Sequence, residues 1–226
     1  MSPRSVGGQM ALLLVVTSIV AAASRPVMEQ VVLRPADVLQ QFKLWQLVSP
    51  TFLVPPSPLS LIFGLIILLQ TGSWLEAQWG RPKVWLFVFG VNVLANVGTV
   101  LVGLLSRSVF ATPFFGGYTT IEALWIAQGL IIGPGRLNWF GFPVSGYAFA
   151  AIGAAFTLLA GVTGSWVGVV PQLFGIAITI LWVQGYTPSQ LLLRLRSRAL
   201  ERDLRKRSSH LSVVKGQKKD RDSYLN

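Results

Sequence analysis

The chain is divided into long, nearly uncharged stretches, and this division constrains its fold more than any other feature. Apolar runs at about 7–24, 58–79, 83–106, 114–133, 140–161 and 165–184 alternate with polar connections. A bilayer core takes roughly 20 residues of helix to cross. Inside hydrocarbon each backbone N–H and C=O must find a partner within the protein, which such runs achieve as helices. Hydrophobic residues make up 52% of the 226 and charged residues 12%, a balance far more apolar than that of a soluble domain. The sequence therefore predicts an all-α integral membrane protein, a six-transmembrane helical bundle. Short connections after the second, third and fourth runs make successive helices antiparallel neighbours in a single membrane domain, 1–190. Residues 191–226 form a tail.

The fourth run, FFGGYTTIEALWIAQGLIIG, contains the carboxylate Glu122. A charge within a span is costly and faces a protein interior or a water-filled cavity, so this helix is expected to be internal. Thr119 and Glu122 are three residues apart, which places them on one side of a helix.

The first run follows Arg4 and ends in Ala-Ala-Ala-Ser, the outline of a secretory leader, but it also has the length of a retained first span. Val38, Phe42 and Trp45 fall at i, i+4 and i+7 in the long first loop and predict a short amphipathic helix in the membrane interface, with Trp45 as an anchor. Eleven of the 19 Lys and Arg lie between Arg194 and Arg221. A basic block after a membrane span reads as a cytoplasmic segment, a short interfacial helix and then a disordered end, lying on anionic lipid and not on nucleic acid. Arg4, Arg81, Lys83 and Arg136 then share the cytoplasmic side with both termini, while Arg25, Arg34, Lys43 and Arg107 lie outside. The residues show no address signal, and the expected location is a bacterial inner membrane.

WQLVSPTFL at 45–53 and GSWLEAQWG at 72–80 resemble, in order and spacing, first-loop and second-span segments of rhomboid proteins. The resemblance covers about 8–186 and implies the rhomboid six-span fold. It also implies that Glu76 ties the first loop to the bundle and that the first run is retained as a helix. Active rhomboids carry a serine nucleophile in Gly-x-Ser-Gly on the fourth span, and here Gly117-Tyr118-Thr119-Thr120 matches it, with Thr119 at the nucleophile position. Gln172 stands at the position of the histidine base, in Gln172-Leu173-Phe174-Gly175. Ser60 and Gly64 replace the histidine and asparagine that help to bind the oxyanion.

An amide cannot take a proton, so Gln172 cannot activate a hydroxyl as a base would. The one histidine, His210, lies in the tail. Each lost oxyanion donor costs a further ~10²–10³ in rate. The resemblance thus implies a non-catalytic member, a pseudoprotease similar in kind to derlins, that binds transmembrane helices of client proteins. Its lateral entrance would lie at the first loop and the second and fifth spans, with local thinning of the bilayer. No cofactor and no metal site are expected. Thr119, Thr120, Glu122 and Gln172 form a candidate polar cluster, which either receives a client or satisfies its own hydrogen bonds and holds the bundle together. Small residues in the sixth span, Gly168, Gly175 and Ala177, and in the fourth, Gly116, Gly117 and Ala123, are expected to bring those two helices close. Two other readings use the same residues: an intramembrane protease with Thr119 as nucleophile and Glu122 as base, and a small proton-linked transporter through Glu122.

Overall fold

The computed structural model describes residues 5–139 and 141–185. The basic tail and its expected interfacial helix lie outside the described residues. The chain begins with α1 (Val6–Ala23), capped by the Ser5 hydroxyl, which accepts the N–H of Gly8. The first loop holds α2 (Arg25–Val31), α3 (Pro35–Gln40) and two 3-10 turns, Leu44–Leu47 and Ser49–Phe52. Next come α4 (Pro58–Ile67), a π-helical turn at Leu68–Gly72, and α5 (Ser73–Trp79), which together make one continuous apolar helix. The rest is α6 (Arg81–Leu105), α7 (Arg107–Ala111), α8 (Gly116–Ile132), a hairpin of β1 (Arg136–Trp139) and β2 (Phe142–Ser145), α9 (Gly146–Thr163) and α10 (Val170–Val183).

The six longer helical segments run in alternating directions. Val6 at the start of α1 meets Glu76 at the end of α5, and the last turns of α1 meet Leu53 and Val54 in the first loop. The C-terminal end of α6 touches Pro35, and the N-terminal end of α8 touches Pro50 and Leu53, so both sit at the loop end. Gly146 and Tyr147 at the start of α9 donate to Gly135 and Gly133 beyond the end of α8, at the hairpin end. Trp182 near the end of α10 packs edge-on against Phe87, near the start of α6, at the same end.

Helix α8 is the axis of this arrangement. Every residue from Gly116 to Gly129 except Tyr118 is buried. Burial on all sides explains why the segment shows no apolar stripe: each direction is a core direction. Close approaches set its neighbours. A Cβ on Gly175 of α10 would lie 2.6 Å from Thr119 Cγ2, and one on Gly129 would lie 2.7 Å from the Ala150 Cβ of α9. Small residues permit such contact between apolar helices. The π turn similarly brings α1 and α4–α5 together, since a Cβ on Gly72 would lie 2.8 Å from the Gly7 Cα.

Several sequence expectations need correction. Of the six expected spans, four among the described residues, α1, α4–α5, α6 and α9, are helices long and apolar enough to cross a membrane. Helix α8 has 17 residues and α10 has 14, about 26 and 21 Å at 1.5 Å per residue. The fifth helix begins only at Gly146: residues 136–139 pair antiparallel with 142–145, so the protein is mostly helical and not all-α. Gly141, with φ +87°, turns the hairpin, and the Ser145 hydroxyl then caps α9 by accepting the Ala148 N–H. Residues 165–169 form a turn, and the sixth helix starts only at Val170, with Pro171 in its first turn.

The first loop is not one amphipathic helix. Phe42 has φ +54° and stands 76% exposed, while Val38 on α3 is buried, so the i, i+4, i+7 pattern is cut at its centre. The loop is built instead around Gln46, which is wholly buried. Its amide oxygen accepts the Arg34 N–H at 3.1 Å, and its nitrogen faces Asp37 and the Glu29 carbonyl. Asp37 in turn pairs with Lys43 at 3.2 Å. Trp45 is half exposed and donates its indole N–H to the Gln30 carbonyl at 3.0 Å.

Candidate functional site

Polar side chains on three helices fasten the first loop over the end of α8. Thr17 of α1 donates to the Phe52 carbonyl at 2.7 Å, and Ser18 accepts the Val54 N–H at 3.1 Å. Asn96 of α6 donates to the Leu47 carbonyl at 2.8 Å, and Thr120 of α8 donates to the Thr51 carbonyl. Asn92 completes this side by donating to the Thr120 hydroxyl at 2.8 Å. Gly117 donates its own N–H to Leu53 at 2.9 Å, and its missing Cβ is what lets the loop backbone lie there. Gly116 and Gly117 therefore serve the loop contact, not the approach of α10.

Glu76 does not reach the first loop. Its Oε2 accepts the Val6 N–H at 2.7 Å, at the opposite end of the bundle, which supplies an otherwise unpaired donor of the first turn of α1 with a carboxylate.

The expected cluster of Thr119, Thr120, Glu122 and Gln172 is divided among different neighbours, and no hydrogen bond joins its four members. Thr119 is completely buried against Gly175, and its hydroxyl has no hydrogen-bond partner among the described residues. Thr120 faces the first loop. Glu122 turns to α9 and accepts a hydrogen bond from the Thr157 hydroxyl. Gln172 directs its amide to the Gly168 and Val169 carbonyls, 3.3 and 3.2 Å away, just before and at the start of its own helix. The cause is angular. Three residues along a helix leave two side chains about 60° apart, and on a helix enclosed on every side that is the difference between facing α10 and facing α9.

What the structure does bring together is a cavity of about 470 Å³ bounded by the first part of α4, the N-terminal half of α8, the later part of α9 and the start of α10. Its polar groups are Glu122 with Thr157, Ser60 with Tyr118, and Gln172. Ser60 Oγ and Tyr118 OH lie 2.6 Å apart. Thr119 and Gly64 are not on its wall: Gly64 is covered by Ile121 and Leu14. Toward the hairpin end the cavity is closed by aromatic rings. Trp125 lies 5.6 Å from Phe63, 5.7 Å from Phe156, 5.3 Å from Phe149 and 5.6 Å from Trp139, measured between ring centres.

Thr157 and Tyr118 were missed from the sequence. The signal for Thr157 was a lone hydroxyl amid the apolar GAAFTLLAG, which gains meaning only once the helix is seen to face Glu122.

A family model described as eukaryotic integral membrane protein (DUF1751) matches residues 9–197. No curated protein matches the sequence. The eukaryotic family overturns the expectation of a bacterial inner membrane. Hydropathy reports that a segment crosses lipid, and carries no mark of whose lipid it is.

Proposed function

The chain belongs to this family of eukaryotic integral membrane proteins, and from that premise we propose that it is a non-catalytic, six-span membrane module with a rhomboid-like fold that binds transmembrane helices of client proteins. The observation that carries the proposal is the cavity between α4 and α9, which holds a carboxylate, three hydroxyl groups and an amide inside an otherwise apolar wall. Exposed apolar side chains flank it, Leu59 and Ile62 on α4 and Phe156 and Leu159 on α9. A helix lying in the bilayer can rest on these without removing polar groups from water.

The arrangement of the positions matched to rhomboids supports a non-catalytic role. A nucleophile needs a base within hydrogen-bond reach and access to substrate. Thr119 has neither among the described residues: it is sealed against Gly175 of α10, and Glu122 is turned to Thr157 of α9. The aromatic closure around Trp125 likewise disfavours a proton path continuing from Glu122 through the bundle.

Photo-crosslinking tests the proposal. With a photoreactive residue at Leu159, the protein in its membrane should capture single-span helices, while the same residue at Leu101 on α6 should not. Equal capture at the two positions would mean mere lipid-phase collision and would remove the proposal. Cleavage of a helical substrate by purified protein, lost in Thr119→Ala, would replace it with a protease.

A further inference from the structure

Glu122 differs from the other carboxylates among the described residues. Glu29 is paired with Arg25, Asp37 with Lys43, and Glu76 accepts a backbone N–H. Glu122 receives one hydrogen bond, from a neutral hydroxyl, although a carboxylate can accept up to about four. No lysine or arginine lines its cavity. An ionisable side chain inside a membrane is costly and is commonly paired, and the described residues supply no cationic partner.

We infer that this cavity receives the cationic side chain, lysine or arginine, of a transmembrane helix lying along α4 and α9; the inference rests on the helix-binding reading above. Size, chemistry and depth converge on this occupant. A helix with side chains is about 10 Å across and cannot enter about 470 Å³, but one long side chain can. The helix body stays on Leu59, Ile62, Phe156 and Leu159, and the side chain enters. The aliphatic stem of a lysine lies against Phe63 and Phe156, while its ammonium meets Glu122 and the faces of the surrounding rings. Ser60 and Tyr118 offer further oxygen acceptors. Glu122 is six residues into α8, about 9 Å along its axis. A helix-borne lysine at matching depth reaches it, whereas the amine of a phospholipid headgroup sits outside the hydrocarbon. The protein therefore selects membrane segments that carry a buried cation, the kind that cannot remain alone in lipid.

The test uses the full chain in phosphatidylcholine vesicles with the photoreactive group at Leu159 and three probe helices that are identical except for Lys, Leu or Glu at the depth of Glu122. The lysine helix should be captured about tenfold more than the leucine helix, which corresponds to one interhelical polar contact. Glu122→Gln should abolish this preference. Moving the lysine two turns along the probe should also abolish it in the unaltered protein, a control that does not depend on a variant folding. Equal capture of the lysine and leucine helices overturns the cation site and leaves helix binding standing. No capture of any probe above the level at Leu101 removes both. Loss of the lysine preference when phosphatidylethanolamine replaces phosphatidylcholine would assign the site to a lipid amine instead and overturn the inference.

Discussion

Thr119 and Thr157 are both buried in the bundle, but their hydroxyls are in opposite situations. The Thr119 hydroxyl has been removed from water and has no partner among the described residues, whereas that of Thr157 holds the carboxylate of Glu122. An isosteric change to valine therefore acts with opposite sign at the two sites. Thr119→Val removes an unpaired polar group and should raise stability by up to about 1 kcal/mol. Thr157→Val takes away the single donor to Glu122 and should lower stability by about 1–3 kcal/mol. Thermal unfolding in detergent measures both, and equal losses at the two sites would contradict the hydroxyl environments described. The same pair shows where residue-level reading stopped. Thr119 stood out because of its place in a Gly-x-Ser-Gly-like segment, and Thr157 did not, because its role depends on a residue 35 positions away.

At the scale of elements, the first loop is held by side chains that reach it from α1, α6 and α8 and by its own buried Gln46. Gln46→Leu keeps the volume but leaves the Arg34 N–H and the Asp37 carboxylate without that partner, at a cost of about 1–3 kcal/mol. Amide exchange across residues 33–53 should accelerate at least about tenfold, while exchange in α8 stays slow. Unchanged exchange in the loop would mean that Gln46 is not its organising residue. Helices of this bundle were legible from apolar runs because a long run has few alternatives in lipid. The loop was not, since its short turns are fixed by bonds to distant carbonyls that leave no period in the sequence. The hairpin was missed for a related reason: aromatic and apolar residues at 137–144 suit a strand as well as a membrane helix, and the Gly141 turn decided between them.

On the scale of the whole molecule, the alternating helices place the α5–α6 junction and the hairpin at one end, and the first loop, α7 and the α9–α10 turn at the other. The sequence contains no cysteine, so single cysteines can be read without background. Gln78→Cys and Asn138→Cys should react with an impermeant reagent from one side of a sealed vesicle, and Phe42→Cys and Arg107→Cys from the other. Labelling of Asn138→Cys and Phe42→Cys from the same side would break the alternation. The cations that depart from the positive-inside pattern are partly accounted for here, because Arg25 and Lys43 are each paired with a carboxylate inside the loop.

The sequence by itself determined that this chain lives in a membrane, that it is mostly helical, and that the segment bearing Glu122 is interior. Hydrocarbon permits few backbone solutions, and a carboxylate within it must turn inward. Only the tertiary structure decided which neighbour each polar group of α8 faces: Thr119 toward Gly175, Thr120 toward the first loop, Glu122 toward Thr157 and the cavity. A helix buried on one side advertises its orientation through an apolar stripe. A helix buried on every side has none, and the direction of each side chain is then set by the contacts of the helices around it.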